Sequence, residues 1–342
     1  MSVPDDRLTN TASTNTEGGG ELFSRAERRA LDFRASAEAS GADKSFQLLP
    51  QLAGRFSLLP ASAPPIEQRE WSRENDYATI AITAGRVFDA KSRRWVPGRL
   101  PGGGYSNLIM YTLLARVREQ ADRGEDPRRV DLTPTLNQFA NELGLSRGGR
   151  THKRLVEALQ ATLGASIQLY RADDEAREGV TGVNLQMLRA DIATSYSLWV
   201  PQQTALPGME PFIEVSEFMV EFATAPGAIP VRLDILAQLA GKPLAQQAIT
   251  WLAREVYVLD LQGKPERIFD WDDLYRNVTH DYTDRKDFQK AWRNAIDQAL
   301  HFYPSARQFL DVNYPDPRDG RRKVIRLTRG AAPLVQPKQL ED

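Results

Sequence analysis

The run Asp131-Leu-Thr-Pro-Thr-Leu136-Asn-Gln-Phe139-Ala140-Asn-Glu-Leu143-Gly144-Leu-Ser146-Arg147-Gly-Gly-Arg150-Thr-His152-Lys153-Arg154-Leu155-Val156-Glu157 decides the fold. Leu136, Phe139, Ala140 and Leu143 recur at the spacing that places residues on one side of a helix. Thr133 is placed to cap that helix, with Pro134 at its first position, where a missing N–H is no loss. After a glycine-rich turn, a second helix runs over about 150–163. Leu155, Val156, Leu159 and Leu163 form one stripe of it, and Arg150, Lys153, Arg154 and Glu157 another. Residues 166–171 and 183–200 then alternate as strands around a charged connection at 172–179. Helix, turn, basic helix and hairpin make a helix-turn-helix with a wing behind it.

Upstream, 105–123 is apolar almost all round, so it reads as a buried helix stopped by Gly124. Val130-Asp-Leu132 is a short strand, 77–84 a strand rich in β-branched residues, and 85–104 a turn-rich loop. Residues 1–70 are polar and low in complexity at first, then apolar with prolines, and read as a flexible arm.

Downstream, the order of elements repeats without detectable identity between the copies. Pro243 starts a long helix with Leu244, Ala248, Trp251, Leu252, Glu255 and Val258 on or near one side, and Arg267-Ile-Phe is a strand. Asp270 can cap a helix carrying Trp271, Leu274, Tyr275 and Val278, the spacing of the first copy. The next helix places Phe288, Ala291, Ala295, Ala299 and Phe302 inside and Arg285, Lys286, Gln289, Lys290 and Arg293 outside. Strands at 308–314 and 323–327 flank Pro315-Asp-Pro-Arg318-Asp-Gly, a turn by composition. The expected fold is α+β: a flexible segment 1–70, a first winged-helix domain 71–205 and a second 206–342.

Composition narrows the chemistry. The 342 residues are 41% hydrophobic and 26% charged, enough for a sizeable core, and the formal net charge of −1 gives no global attraction to polyanions. Any nucleic-acid surface must come from local sorting of charge. With no cysteine, disulfides and thiolate metal sites are excluded; the three scattered histidines, His152, His280 and His301, give no metal or nicking centre. Asp270, Asp272 and Asp273 at a helix start are explained by capping and the helix dipole, and Gly102-Gly-Gly lacks the Lys-Ser/Thr of a phosphate loop. No catalytic constellation, cofactor site or membrane span stands out, and the chain reads as a cytoplasmic protein without enzymatic activity.

A major groove about 12 Å wide admits one helix, whose outer face reaches bases and phosphates. The candidate contacts are Ser146, Arg147, Arg150, His152, Lys153, Arg154 and Arg171 in the first copy. In the second they are Arg285, Lys286, Gln289, Lys290 and Arg293 on the helix, with Arg318, Arg321, Arg322 and Lys323 on the hairpin. The bland reading of each stripe is a solvated helix face. Two stripes in one repeated context favour double-stranded DNA.

The ordered motifs also resemble a family. Leu100-Pro-Gly-Gly-Gly-Tyr-Ser, Leu136-Asn-Gln-Phe-Ala-Asn-Glu-Leu-Gly-Leu with Arg147-Gly-Gly-Arg, and the run 155–167 are followed by Pro230-Val-Arg-Leu-Asp and the Trp251 helix. With Asp287-Phe-Gln-Lys-Ala-Trp and Tyr303-Pro-Ser-Ala, they resemble the C-terminal region of plasmid-encoded RepA-type replication initiators over most of 75–327. The resemblance implies tandem winged helices that bind repeated origin sequences (iterons), open the origin and recruit a host initiator and helicase, with homodimers serving copy control. Phe46-Gln-Leu-Leu and Phe56-Ser-Leu-Leu faintly resemble sliding-clamp-binding peptides. The rival readings are a winged-helix transcriptional regulator on an operator palindrome and a scaffold whose basic faces bind acidic proteins.

Overall fold

The computed structural model describes residues 47–50, 53–54, 57–75, 79–89, 92–145, 148–173, 184–198, 211–225, 228–278 and 282–331, with the side chains of 47, 171–173 and 184–188 outside that description. It begins with strand β1 (Gln47–Leu49) and two hairpins, β2 (Glu70–Glu74) with β3 (Thr79–Thr83) and β4 (Arg86–Asp89) with β5 (Arg94–Pro97). The expectation of a flexible arm to residue 70 therefore needs correction. Residues 1–46 lie outside the described residues, but Leu49, Ala53, Leu58 and Leu59 are buried in the core. The leucines that give 46–59 the look of a clamp-binding peptide thus hold the body together, because burying them removes apolar surface from water. Likewise the stretch expected as a loop at 85–104 contains the β4–β5 hairpin.

The first lobe runs α1 (Gly103–Asp122), β6 (Arg129–Asp131), α2 (Leu136–Glu142), α3 (Gly149–Leu163), β7 (Ser166–Asp173), β8 (Asn184–Asp191), β9 (Ala193–Ser197) and β10 (Phe212–Val215). Helix α1 buries residues on most of its circumference, as its composition requires, and Gly124 follows it at φ 72°, a left-handed conformation that glycine adopts without strain. Thr135, rather than Thr133, caps α2. Its side chain accepts from the Gln138 N–H at 3.2 Å, while the Gln138 side chain accepts from the Thr135 N–H at 3.1 Å. This reciprocal box fixes the helix start two residues later than expected, with Pro134 outside it.

After α4 (Glu217–Thr224), β11 (Ile229–Val231) and α5 (Leu233–Gln238), the second lobe repeats the plan. It runs α6 (Pro243–Leu261), β12 (Glu266–Phe269), α7 (Trp271–Val278), α8 (Arg285–Phe302), a 3-10 turn at Pro304–Phe309, β13 (Leu310–Pro315) and β14 (Lys323–Thr328). Asp270 caps α7 through the Asp272 N–H at 2.8 Å, as its position predicts. Within α8 the buried side is Phe288, Trp292, Ala295, Ile296, Ala299 and Leu300, so the stripe is rotated slightly from the expected one, and Ala291 and Phe302 are half-buried. Trp292 explains the rotation. Its ring meets those of Trp251 and Phe288 at 5.9 and 6.0 Å, and the largest side chain takes the deepest position.

The sheets show which hairpin is a wing. The second lobe has the order β12-β14-β13, and the first has β6-β10-β9. These are the same arrangement, so the first wing is β9–β10, with its tip at 199–210 outside the described residues. The hairpin expected as the wing, β7–β8, instead extends the β2–β3 pair into a separate sheet, β2-β3-β7-β8. An expected domain border at 205/206 falls inside the first wing. The architecture is α+β, two tandem winged-helix lobes, the first enlarged by an inserted sheet. No helix among the described residues is long and apolar enough to cross a membrane.

The lobes meet through their first helices. The Gln246 side chain donates to the carbonyls of Gly104 at 3.2 Å and Leu236 at 2.7 Å, and the Tyr111 hydroxyl is hydrogen-bonded to Thr250. Buried Arg73, on β2, donates to the Asn277 carbonyl at the end of α7, where the helix dipole favours a cation. Strand β1 pairs antiparallel with β11, stitching the chain's early residues to the connection between lobes.

Candidate nucleic-acid interface

Helix α3 presents the first basic face because its other side is committed to the core. Leu155, Ala158, Leu159 and Leu163 are buried, and Val156 is half-buried. Arg150, Lys153 and Arg154 are exposed; Lys153 lies 3.9 Å from Glu157 one turn on, a weak surface pair. Arg150 and Arg154 have no ion pair among the described residues. His152 is half-buried, with its Nε2 turned inward. Ser146 and Arg147 lie outside the described residues, and Arg171 sits on β7, with its side chain outside the description.

The start of α3 is built of glycine. Gly148 occupies the N-cap with no side-chain hydrogen bond, and a Cβ on Gly148 or Gly149 would meet nothing within 4 Å among the described residues. The positive end of the helix dipole lies beside exposed Arg150, a charge arrangement suited to a phosphate.

The second copy differs in this respect. Asp284 caps α8 by accepting the Lys286 N–H at 2.5 Å, and Arg285 pairs with Asp272 at 2.5 Å. Lys286 and Lys290 are exposed and without an ion pair among the described residues, and Gln289 is half-buried. Arg293 is turned toward α7, its guanidinium 4.9 Å from the Trp271 ring centre. The exposed cationic face of α8 is therefore narrower than the helical pattern suggests.

At the wing, charge is divided between structure and solvent. Arg318 bonds Asp316 at 2.8 Å and Asp270 at 3.0 Å, joining the wing turn to the cap of α7. The Arg318 hydrogen bonds hold the Asp316 carboxyl below its usual value of 3.8 and push the guanidinium further up. Arg322 pairs with Asp319 at 3.5 Å; Arg321 and Lys323 are exposed, their side chains without an ion pair among the described residues. Arg321, Arg322 and Lys323 form the outward cationic edge of the second wing. No three His, Asp or Glu side chains among the described residues gather as a metal would need.

Sequence reading missed one cationic feature. On the β4–β5 ribbon Phe88 and Trp95 are 49% and 58% exposed, flanked by exposed Arg86, Arg93, Arg94 and Arg99. The four-residue strands are too short for alternation to be read, although two aromatic residues among arginines were the available signal.

No family model matches the chain, and no curated protein matches it. Solved structures of domains 2 and 3 of the protein RctB are similar at 10% identity, covering 79% of this chain and 94% of that one with a TM-score of 0.41. A second structure of the same domains, with selenomethionine, gives 11% identity, 82% and 97% coverage and a TM-score of 0.46.

Proposed function

We propose that the chain is a replication initiator that grips double-stranded origin DNA with both winged-helix lobes and acts by binding, without catalysing a reaction. The carrying observation is the cationic outer face of α3, where exposed Arg150 and Arg154 have no ion pair among the described residues, repeated in weaker form by Lys286 and Lys290 on α8. Recognition helices present their first turns to base edges, and a wing flanks the groove with phosphate contacts. In the second lobe Arg321, Arg322 and Lys323 supply the flank. Two such modules joined through their first helices would meet successive grooves of one duplex, about one turn of 10 base pairs apart. The resemblance of the ordered motifs to those of RepA-type initiators favours repeated plasmid origin sites, origin opening, and recruitment of a host initiator and helicase over regulation at a single operator. Homodimers would then serve copy control in the cytoplasm.

Selection of bound duplexes from a random library, followed by footprinting on the replicon that carries the gene, tests this reading. Two directly arranged half-sites about 10 base pairs apart, recurring beside the gene, are expected. A lone palindrome at the gene's promoter would establish the regulator instead. Arg150→Ala or Arg154→Ala should weaken duplex binding by about 1–3 kcal/mol where the residue reads a base.

A further inference from the structure

We propose that the β4–β5 ribbon is a second nucleic-acid site, one that binds single-stranded DNA by stacking bases on Phe88 and Trp95 while its arginines hold the phosphates. The ribbon's register pairs Phe88 with Trp95 and Arg86 with Pro97, so these four side chains share one face. The paired Val87 and Val96, both half-buried, and the paired Asp89 and Arg94 share the other face. The two rings stand edge to face with centres 5.6 Å apart, large apolar groups held toward water. Burial in this chain's own core does not explain them.

The ribbon is mounted rigidly. Arg69 donates to the carbonyls of Ala84 at 2.9 Å, Gly85 at 2.8 Å and Gly98, clamping both strands at their base. A Cβ on Gly85 would lie 1.7 Å from the Gly164 carbonyl oxygen, so the base of the ribbon is pressed against the C-terminal end of α3. At the tip, Asp89 accepts the Ser92 N–H at 3.2 Å and Arg93 takes φ 52°, an uncommon conformation for a residue with a side chain. Arg86 donates to the Trp95 carbonyl at 3.0 Å. An aromatic pair on a fixed support loses little conformational freedom when a ligand covers it.

Charge selects the occupant. The described part of the ribbon holds Arg86, Arg93 and Arg94, with Arg99 just past its end, against the single carboxylate of Asp89, in a chain whose net charge is −1. A second copy of the same ribbon would bring like charges together, which disfavours self-association through this face. An anion with flat apolar faces fits both features. Single-stranded DNA offers unpaired base faces along a phosphate chain, whereas a duplex hides those faces in its stack. The base of the ribbon meets the C-terminal end of α3, whose 15 residues span about 22 Å at 1.5 Å per residue from the helix start. Duplex and separated strand would therefore not compete for the same surface.

The test is fluorescence anisotropy of the full chain with a labelled oligothymidylate of about 16 nucleotides, a length that one stacking site can fill. Phe88→Ala/Trp95→Ala should weaken binding roughly ten- to hundredfold, and Trp95→Phe only a few-fold. Arg86→Gln/Arg93→Gln should lower the slope of log K against log salt by about 0.7 for each phosphate no longer neutralised. All of these variants should bind a duplex like the parent, whereas Arg150→Ala/Arg154→Ala should do the reverse, so failure of the duplex reading is separable from failure of this one. The proposal is overturned if the parent does not bind the oligonucleotide, if the aromatic double variant binds it like the parent, or if that variant loses duplex and single strand equally. It is also overturned if the variant instead loses self-association in sedimentation while keeping the oligonucleotide.

Discussion

At the scale of single residues, the same side chain can be a contact or a fastener, and partners decide which. Arg318 belongs by sequence to the row of cations at the second wing, yet Asp316 in its own turn and Asp270, 48 positions earlier, both bind it. Sequence could have shown the first partner; the second needs the fold. Asp316 is only 2% exposed, and its lowered pKa gives a signed prediction. Its ionised form is favoured in the folded state, so its contribution to stability is complete above about pH 3.8 and is lost as pH falls through the lowered value. Asp316→Asn should therefore be less stable than the parent in urea at pH 6, with the gap closing in acid. A gap that stayed constant down to pH 2 would sink this account. Buried Glu255 accepts from both Arg254 and Arg267, and removing it takes a carboxylate partner from two cations, one of them buried. Glu255→Ala should cost about 3–5 kcal/mol in chemical unfolding. A loss below 1 kcal/mol would mean that solvent reaches those guanidinium groups.

At the scale of elements, legibility followed the range of the forces involved. The helices α1, α3, α6 and α8 were readable because a long amphipathic or apolar period is written locally, and the cap at Asp270 was readable because it precedes the run it serves. The cap of α2 was misplaced by two residues, since Thr133 and Thr135 carry the same chemistry and only the reply from Gln138 distinguishes them. Thr135→Ala should destabilise by about 1 kcal/mol, and Thr133→Ala by less. Equal losses in thermal unfolding would show that the box contributes nothing. The first wing was misassigned for a different reason. Both β7–β8 and β9–β10 are antiparallel hairpins of plausible composition, and only pairing with β6, more than 80 residues before β10, selects the second. The recognition faces were legible as stripes, but their width was not. Asp272, Asp284 and the Trp271 ring claim Arg285, the start of α8 and Arg293, and these are tertiary facts.

At the scale of the whole molecule, the question is whether two lobes act as one grip. Their shared joint makes this testable without touching either DNA face. Gly104 lies near the start of α1, and a Cβ there would come within 2.1 Å of the Ala240 carbonyl oxygen and 2.7 Å of its carbon. Those are backbone atoms, so neither a rotamer change nor a small shift of a flexible tip relieves the clash, and α1 must move away from the segment leading into α6. Gly104→Ala should cost about 1–3 kcal/mol of stability, as overpacking does in a close-packed interior. The more informative readout is spacing. If the joint sets the distance between α3 and α8, the parent should prefer a duplex with two half-sites one turn apart over duplexes lengthened by half a turn. The folded variant should lose most of that preference while binding a single half-site like the parent. A variant that is destabilised yet keeps the full spacing preference would show that DNA, not the joint, aligns the lobes.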